Sequence, residues 1–260
     1  MNLIFLDIDM TIWDEKLRIP ESTVDAIRLA RALGNKVFIN TGRSRSNTRY
    51  DSLDALELDG IVAACGCHVE IGGEVKYSKL LTPDEVKLSL EVMRDEHMPV
   101  VLEGIENCFF DPEDFPDDPF AETLWKSLGD RAKRLNDLEN EDPINKFSAD
   151  ITDETDFDVV CDRLKGFLHF INHNGIVVEF VPLGHSKATG MEMVRKYYDV
   201  PAENIYAVGD GMNDMEMITA AAHGIAMGNG NPELLLASDY VTDSIYEDGI
   251  YKAFKYYKII

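Results

Sequence analysis

Residues 3–11 read Leu-Ile-Phe-Leu-Asp-Ile-Asp-Met-Thr. The first four form a short, continuous apolar run, which is typical of a strand buried on both faces of a parallel sheet. Asp7 and Asp9 follow where this strand ends, and strand alternation sends both side chains the same way. Ligands of an open parallel sheet bind beyond the carboxyl ends of its strands. Two aspartates also solvate ordinary turns, so this stretch alone leaves a binding site and a turn as equal alternatives.

The segments around this run repeat the order strand, helix, strand. Ser22 and Asp25 form a capping-box pattern ahead of an apolar stripe with helical spacing. Apolar strands are predicted over 37–39 and 61–64, and the same order returns after Ser186, which we expect to cap a helix. Short joints between such elements indicate βαβ units and therefore a parallel sheet.

The middle of the chain has a different character. A helix followed by two strands is predicted twice there, and Asn174-Gly175 is a strong signal for a two-residue hairpin. We therefore predict an α/β fold with a doubly wound, Rossmann-like parallel sheet core over 1–79 and 183–260. An α+β cap domain is expected to be inserted over 80–182.

One acidic stretch within this middle part is interpreted as a solvated loop. No lysine or arginine stands between Arg94 and Lys126, while eight acidic residues accumulate over 103–122 together with three prolines. These residues are Glu103, Glu106, Asp111, Glu113, Asp114, Asp117, Asp118 and Glu122, with Pro112, Pro116 and Pro119.

Composition excludes several classes of protein. The 260 residues include 25 Lys and Arg against 48 Asp and Glu, a formal net charge of −23, which argues against nucleic-acid or anionic-membrane binding. Four cysteines without a CxxC pair are too sparse for a disulfide scaffold and indicate reduced thiols. No run approaches the length of a membrane helix. We expect a soluble, cytoplasmic protein.

Acidic residues at the ends of two strands point to a cation. Asp210 and Asp214 follow a second apolar strand, with Gly209 and Gly211 allowing a sharp turn. A helix cap formed by Asn213 or Asp214 would explain one of these acids, but four converging carboxylates, with Asp7 and Asp9, cannot all stay ionised without compensation. Because the available donors are oxygens, Mg²⁺ is favoured over zinc.

Two further residues fit an anion beside that cation. Thr41 ends a strand and Gly42 permits close backbone approach, although a helix cap explains this pair slightly better by itself. Lys187 begins a helix, where a cation is unfavourable unless something anionic is near, although a surface lysine is the simpler alternative. Together with the acids, these residues indicate a phosphate site.

These motifs give the chain a clear resemblance over essentially its whole length. It resembles a haloacid dehalogenase superfamily phosphatase of the Cof-type, or IIB, group, with a C2 cap. The resemblance rests on four motifs that occur in order: Asp7-Ile8-Asp9-Met10-Thr11, Asn40-Thr41-Gly42-Arg43, Lys187, and Gly209-Asp210-Gly211-Met212-Asn213-Asp214.

The resemblance implies a mechanism in which Asp7 attacks phosphorus to form an aspartyl-phosphate. Asp9 would protonate the leaving oxygen and then deprotonate the hydrolytic water. Thr41 and Lys187 would hold the phosphoryl oxygens. The remaining phosphate contacts would come from Asn213 and from main-chain amides near Ile8 and Gly42.

The resemblance also implies a metal site and a place for the cap. Asp7, the main-chain carbonyl of Asp9, and Asp210 would bind Mg²⁺, with Asp214 supporting them. The interval between Asp7 and Thr41 holds one helix and its joints, so the cap must lie between Thr41 and Lys187. It would close over the site and select the leaving group.

The sequence departs from the group's pattern at two places. Met10 stands where the family usually has glycine, and it is strained if that position needs a positive φ but harmless if φ is negative. Cys65-Gly66-Cys67 replaces the more common Asn-Gly-Ala, and adjacent-but-one cysteines bridge poorly, so no redox pair is expected.

Three functions remain open at this stage. A Mg²⁺-dependent phosphatase acting on a sugar phosphate or a phosphorylated cofactor is preferred. A phosphotransferase or phosphomutase of the same fold is the second. A non-catalytic sugar-phosphate-binding or signalling protein is the third, although such a protein has no use for Asp9 as an acid. The expected partner is a small phosphorylated metabolite, with no nucleic acid and no membrane, bound by a monomer or weak homodimer.

Overall fold

The structure, a computed structural model, describes residues 1–115, 119–173 and 175–260. Its strands are β1 (Leu3–Leu6), β2 (Lys36–Asn40), β3 (Gly60–Ala63), β4 (His68–Ile71), β5 (Glu74–Ser78), β6 (Val100–Gly104), β7 (Cys108–Phe109), β8 (Ala132–Lys133), β9 (Ile144–Asp150), β10 (Leu168–His173), β11 (Val177–Pro182), β12 (Ile205–Gly209), β13 (His223–Ala226) and β14 (Tyr240–Val241). Its α-helices are α1 (Glu21–Ala32), α2 (Asp51–Asp54), α3 (Pro83–Asp95), α4 (Pro119–Leu128), α5 (Phe157–Leu164), α6 (Lys187–Tyr198), α7 (Met215–Ala220), α8 (Pro232–Ala237) and α9 (Gly249–Tyr256).

The chain divides into two compact units. The first unit comprises Met1–Gly42, Tyr50–Tyr77 and His185–Ile260, and the second comprises Arg43–Arg49 and Ser78–Gly184. The core and cap boundaries that we set at residues 80 and 182 stay a prediction.

The first unit is built on an eight-stranded sheet with the order β14-β13-β12-β1-β2-β3-β4-β5. Strands β14 to β3 in that order pair in parallel, while β4 runs antiparallel to β3. Alternate residues of β1 enter different cores: Ile4 and Leu6 pack with α1 and α9, whereas Leu3 and Phe5 pack with α6, α7 and α8. Helices therefore cover both faces, and the predicted α/β, doubly wound fold is confirmed.

The topology brings three chain segments that are distant in sequence to one edge of this sheet. Strand β1 lies between β12 and β2, with Leu6 opposite both Val208 and Ile39. All three strands run in the same direction, so their carboxyl ends lie side by side. The loops after residues 6, 40 and 209 are therefore neighbours.

The second unit contains a six-stranded sheet with the order β10-β11-β9-β6-β7-β8. Its pairs are antiparallel except β7 with β8, and α3 and α5 contribute to a core with residues of β6, β9 and β11. The predicted α+β character is present. Strands β10 and β11 form the antiparallel pair expected around the predicted turn, although Asn174 itself lies outside the described residues.

The acidic stretch between Arg94 and Lys126 is not a solvated loop, and that interpretation was wrong. It contains β6, β7 and the helix α4, whose Ala121 and Leu124 are buried with Phe110 and Phe115. Of these acidic residues, Glu122 lies on α4 and Glu103 is buried in β6 against Lys146, so a count of charges did not reveal the helix or the strand. Pro116, Asp117 and Asp118 lie outside the described residues.

Helix α1 begins differently from the prediction. It starts at Glu21 after Pro20, without a side-chain cap, and the buried Ser22 hydroxyl makes no hydrogen bond. The helix begins directly after Pro20, because the fixed φ of proline is compatible with the start of a helix. By contrast, Ser186 caps α6 as predicted, accepting a hydrogen bond from the Thr189 amide at 3.4 Å.

The segment 43–49 belongs with the second unit, although it falls within the range predicted for the core. The Ser44 amide donates to the Glu103 carboxylate at 3.3 Å, and the Ser46 hydroxyl donates to the Gly104 carbonyl at 2.8 Å. Polar groups of this loop thus form hydrogen bonds with residues of β6, which a sequence pattern does not reveal.

Among the described residues, no helix combines the length and apolar character that a membrane-spanning segment requires.

Candidate active site

The turn after β1 holds Asp7 at the end of the sheet. The Asp7 amide still donates to Val208 of β12 at 3.0 Å, and its side chain is only 5% exposed. The chain then turns sharply, because the amides of Ile12 and Trp13 both donate to the Ile8 carbonyl, at 2.9 and 3.0 Å. Asp7 is therefore fixed by the sheet, and the residues after it are fixed by the turn.

The turn after β12 is organised by Asp214. One carboxylate oxygen of Asp214 accepts hydrogen bonds from the amides of Asp210 and Gly211, both at 2.9 Å. A side chain on Gly209 would collide with this carboxylate, so glycine is required at the end of the strand. Asp214 makes no capping bond to α7, but its bond to the Gly211 amide caps the short 3-10 helix Met212–Asp214, so the cap expected at this residue is present beside its other contacts.

Lys187 joins the two turns. Its ammonium group lies 2.7 Å from an oxygen of Asp7 and 2.5 Å from the second oxygen of Asp214. The side chain is fully buried, so the surface-lysine alternative was wrong. Carboxylate oxygens of Asp7, Asp210 and Asp214 lie within 4.8 Å of one another. We call these three residues with Lys187 the acidic cluster.

The acidic cluster carries more negative charge than one lysine balances. Burial, reinforced by repulsion from Asp214, raises the pKa of Asp7 well above its ordinary value despite the attraction of Lys187. Burial and the same neighbour raise the pKa of Asp210 to about 7. Burial disfavours the charged form of Lys187, but its two carboxylate partners outweigh that effect and raise its pKa. The site therefore favours an additional positive charge.

The donor set fits a hard divalent cation. The three carboxylates that converge here offer oxygen atoms only, and oxygen is the ligand that Mg²⁺ prefers. Thr11 donates its hydroxyl to Asp210 at 3.0 Å, which orients one of these carboxylates. An arrangement of this kind can hold a cation and, next to it, an anionic group.

Similarity to known proteins identifies the family of this chain. The sequence pattern of the haloacid dehalogenase-like hydrolases matches residues 4–254. This chain belongs to that family. YkrA of Bacillus subtilis (strain 168) is 31% identical over 98% of this chain and 96% of that protein. A 5-amino-6-(5-phospho-D-ribitylamino)uracil phosphatase of the same organism, YcsE, is 27% identical over 99% of this chain and 96% of that protein.

Solved structures agree with the sequence comparison. The HAD subclass IIB sugar phosphatase BT4131 is 27% identical, with a TM-score of 0.84 over all of both chains. The resemblance to the Cof-type, or IIB, group is thus confirmed.

In this haloacid dehalogenase-like hydrolase, Met10 has a φ of 54°, so the residue is strained where the family usually has glycine. The Asn229 side chain holds this turn by donating to the Met10 carbonyl at 2.9 Å.

Other predicted site residues lie on the neighbouring loops of the hydrolase. Asp9 is partly exposed, and its charge contributes to the raised pKa of Asp7. Thr41 is buried after β2, and it is not the cap of the following 3-10 helix, because that position is occupied by Ser44. Ile8 buries its side chain in the core. Gly42 is buried and Asn213 half-buried, and the phosphate contacts of these loops stay predictions.

Sequence reasoning missed two residues that hold the site in place. Asn40, fully buried at the end of β2, donates its side-chain amide to the Lys187 carbonyl at 3.0 Å. Trp13 donates its indole N–H to Asp9 at 3.0 Å. An asparagine ending an apolar strand was a usable signal, since a buried amide needs partners. The spacing of Trp13 from Asp9 carried no such signal.

Proposed function

We propose that this hydrolase is a Mg²⁺-dependent phosphatase that cleaves a small phosphomonoester through an aspartyl-phosphate on Asp7. The observation that carries the proposal is the acidic cluster, in which a buried lysine and three carboxylates from distant loops converge. Membership of the family and the phosphatase names of its relatives support the same reaction.

Asp7 and Asp210, with the main-chain carbonyl of Asp9, would hold Mg²⁺. Asp214 would support them through its bonds to the turn and to Lys187. When bound, the ion supplies positive charge that offsets the charge of the phosphoryl oxygens. This assignment agrees with the oxygen-only donor set and with the raised pKa values of Asp7 and Asp210, which burial causes and repulsion from Asp214 reinforces.

The chain's own residues would carry out the chemistry in two steps. An Asp7 oxygen bonds to phosphorus, and the bond to the leaving oxygen breaks as that oxygen takes a proton from Asp9. Asp9 then removes a proton from water, whose oxygen attacks phosphorus and returns the Asp7 carboxylate. Thr41 and Lys187 would stabilise the phosphoryl oxygens. Further contacts would come from Asn213 and the amides near Ile8 and Gly42.

The proposed substrate is a sugar phosphate or a phosphorylated cofactor. One similar protein is named as a 5-amino-6-(5-phospho-D-ribitylamino)uracil phosphatase and another as a sugar phosphatase. The net charge of −23 disfavours polyanionic partners. Phosphate release measured over a few dozen metabolites tests this choice, and a preference for nucleoside triphosphates or nucleic acid would contradict it.

Hydrolysis of p-nitrophenyl phosphate in Mg²⁺ tests the reaction itself. We expect Asp7→Asn to lower kcat by about 10³-fold or more, since the nucleophile is lost, and chelation to abolish the wild-type activity. Asp59→Asn is the matched control, because Asp59 is a buried aspartate of the same unit paired with Arg31 and Lys36 instead. Activity that survives both Asp7→Asn and chelation would refute the proposal. Turnover that requires a sugar acceptor would instead indicate a phosphotransferase.

A further inference from the structure

The indole of Trp13 donates a hydrogen bond to the side chain proposed as acid and base. Its Nε1 lies 3.0 Å from Oδ1 of Asp9. The ring is completely buried, and its edge-to-face contact with Tyr50 has a centroid separation of 5.1 Å. The Trp13 amide is bonded to the Ile8 carbonyl at 3.0 Å. The donor is therefore held rigidly, whereas Asp9 is partly exposed.

The chemistry of the two groups assigns different tasks to the two oxygens of Asp9. An indole N–H is a donor only, so the oxygen that faces it must act as an acceptor. A carboxylic acid accepts hydrogen bonds chiefly through its carbonyl oxygen, so the acid form of Asp9 that keeps this bond carries its proton on Oδ2. The terminal torsion of an aspartate is broad, and the hydrogen bond narrows it to one orientation.

We propose that Trp13 is a positioning residue for Asp9: its indole N–H occupies Oδ1 and leaves Oδ2 as the oxygen that exchanges protons. This inference rests on the proposed function. It adds a residue that touches neither the substrate nor the reacting atoms.

The two proton transfers then use one and the same oxygen. In the first step the bond between phosphorus and the leaving oxygen breaks, and its electron pair takes the proton from Oδ2 of Asp9. In the second step Oδ2 takes a proton from water as the water oxygen bonds to phosphorus. The bond between phosphorus and Asp7 breaks in that step, and its electron pair returns to the Asp7 carboxylate. Oδ1 of Asp9 keeps its bond to Trp13 throughout.

A purely structural role is the alternative explanation of the contact, because the same hydrogen bond closes the turn from Asp9 to Trp13. The two explanations differ in how activity depends on the leaving group. A poor leaving group needs a proton from Asp9, whereas p-nitrophenol leaves readily as an anion. Loss of positioning therefore affects alkyl esters selectively. Loss of structure affects all substrates alike.

The kinetic test compares Trp13→Phe with the wild type on glycerol phosphate and on p-nitrophenyl phosphate. The value of kcat/KM reports the steps up to the aspartyl-phosphate. We expect it to fall about tenfold or more for glycerol phosphate and less than about threefold for the aryl ester. Trp125→Phe is the matched control and should change neither value. An equal fall for both esters, or no fall for either, would overturn the proposal.

A spectroscopic test does not depend on activity. The chain has two tryptophans, so Trp125→Phe leaves Trp13 as the source of a single indole N–H signal in ¹H–¹⁵N spectra. Adding Asp9→Ala should move this proton signal upfield, as loss of a hydrogen bond requires. Adding Asp14→Asn should leave it in place, because Asp14 is bonded to Arg18. A signal that Asp9→Ala does not move would overturn the proposal.

The two tests separate failure of this inference from failure of the proposed function. A wild-type chain that hydrolyses neither ester in Mg²⁺ refutes the proposed function, whatever the indole signal shows. A wild-type chain that hydrolyses both esters, with Trp13→Phe equally active on each, refutes the role of Trp13 alone.

Discussion

Replacing Met10 by glycine and by alanine measures the backbone strain beside the acidic cluster. Met10 has a φ of 54°, in the left-handed region, and its carbonyl is held there by Asn229. Both substitutions remove the same side-chain atoms beyond Cβ. Glycine also removes Cβ, which is the atom that makes a positive φ unfavourable. The difference between the two variants therefore reports the strain.

The magnitude follows from two opposing effects. A left-handed conformation costs an L-residue about 1–2 kcal/mol, which glycine avoids. This advantage of glycine is reduced by about 0.5–1 kcal/mol, because glycine loses more backbone entropy on folding than alanine does. We therefore expect Met10→Gly to have a free energy of unfolding about 0.5–1 kcal/mol higher than that of Met10→Ala. For a chain of this size that corresponds to a Tm higher by about 1–4 °C.

Guanidinium and thermal unfolding of the two variants measure this difference. Lys16 provides the matched control, because it is exposed, lies in the same loop and does not have a positive φ. At that position the sign should reverse, with Lys16→Gly less stable than Lys16→Ala by about 0.5–1 kcal/mol. If Met10→Gly proves no more stable than Met10→Ala while the Lys16 pair behaves as expected, the assigned strain is refuted.

Three further outcomes are expected. Lys187→Met should lower the free energy of unfolding of the metal-free protein by about 3–5 kcal/mol, because the buried carboxylates of Asp7 and Asp214 lose their partner. A denaturation midpoint close to that of the wild type would contradict this prediction. The pKa of Glu179 is held well below its ordinary 4.5, since Lys146 and His173 outweigh the effect of burial. Its contribution to stability is therefore full above pH 4.5 and is lost as the pH falls, so urea unfolding should show a shallower acid loss in Glu179→Gln than in the wild type. Gly66→Ala should lower the free energy of unfolding by about 2–4 kcal/mol, because Gly66 has a φ of 84° and an added Cβ would collide with the backbone of Ser186. Gly72→Ala should lower it by about 1 kcal/mol, because Gly72 also has a positive φ but has open space around it. Equal shifts of the two variants in calorimetry would refute the packing argument.

Local patterns predicted the first unit well because the signals that specify it are local. The apolar run before Asp7 became β1, which is buried on both faces. Ser186 capped its helix, since a cap needs only the residues of the first turn. The two aspartates at the ends of β1 and β12 met because parallel neighbours share an edge. The α/β class and the convergence of Asp7, Asp210 and Asp214 followed from the same reasoning.

Patterns failed where a residue's environment comes from distant parts of the chain. Charge counting placed a loop where α4 forms, because the buried Leu124 and its neighbours depend on contact with Phe110. Ser22 matched a capping box, yet the helix starts earlier and the hydroxyl stays unpaired. Each error reflects a short motif that competing packing overrode.

The sequence by itself determined which residue types are available at the sheet edge and the order in which the chain supplies them. Only the tertiary structure decided that Met10 takes a positive φ, that Lys187 is buried between Asp7 and Asp214, and that Trp13 occupies one oxygen of Asp9. The physical reason is distance along the chain. Lys187 and Asp7 are 180 residues apart, so their 2.7 Å contact exists only once β1, β12 and α6 have packed together.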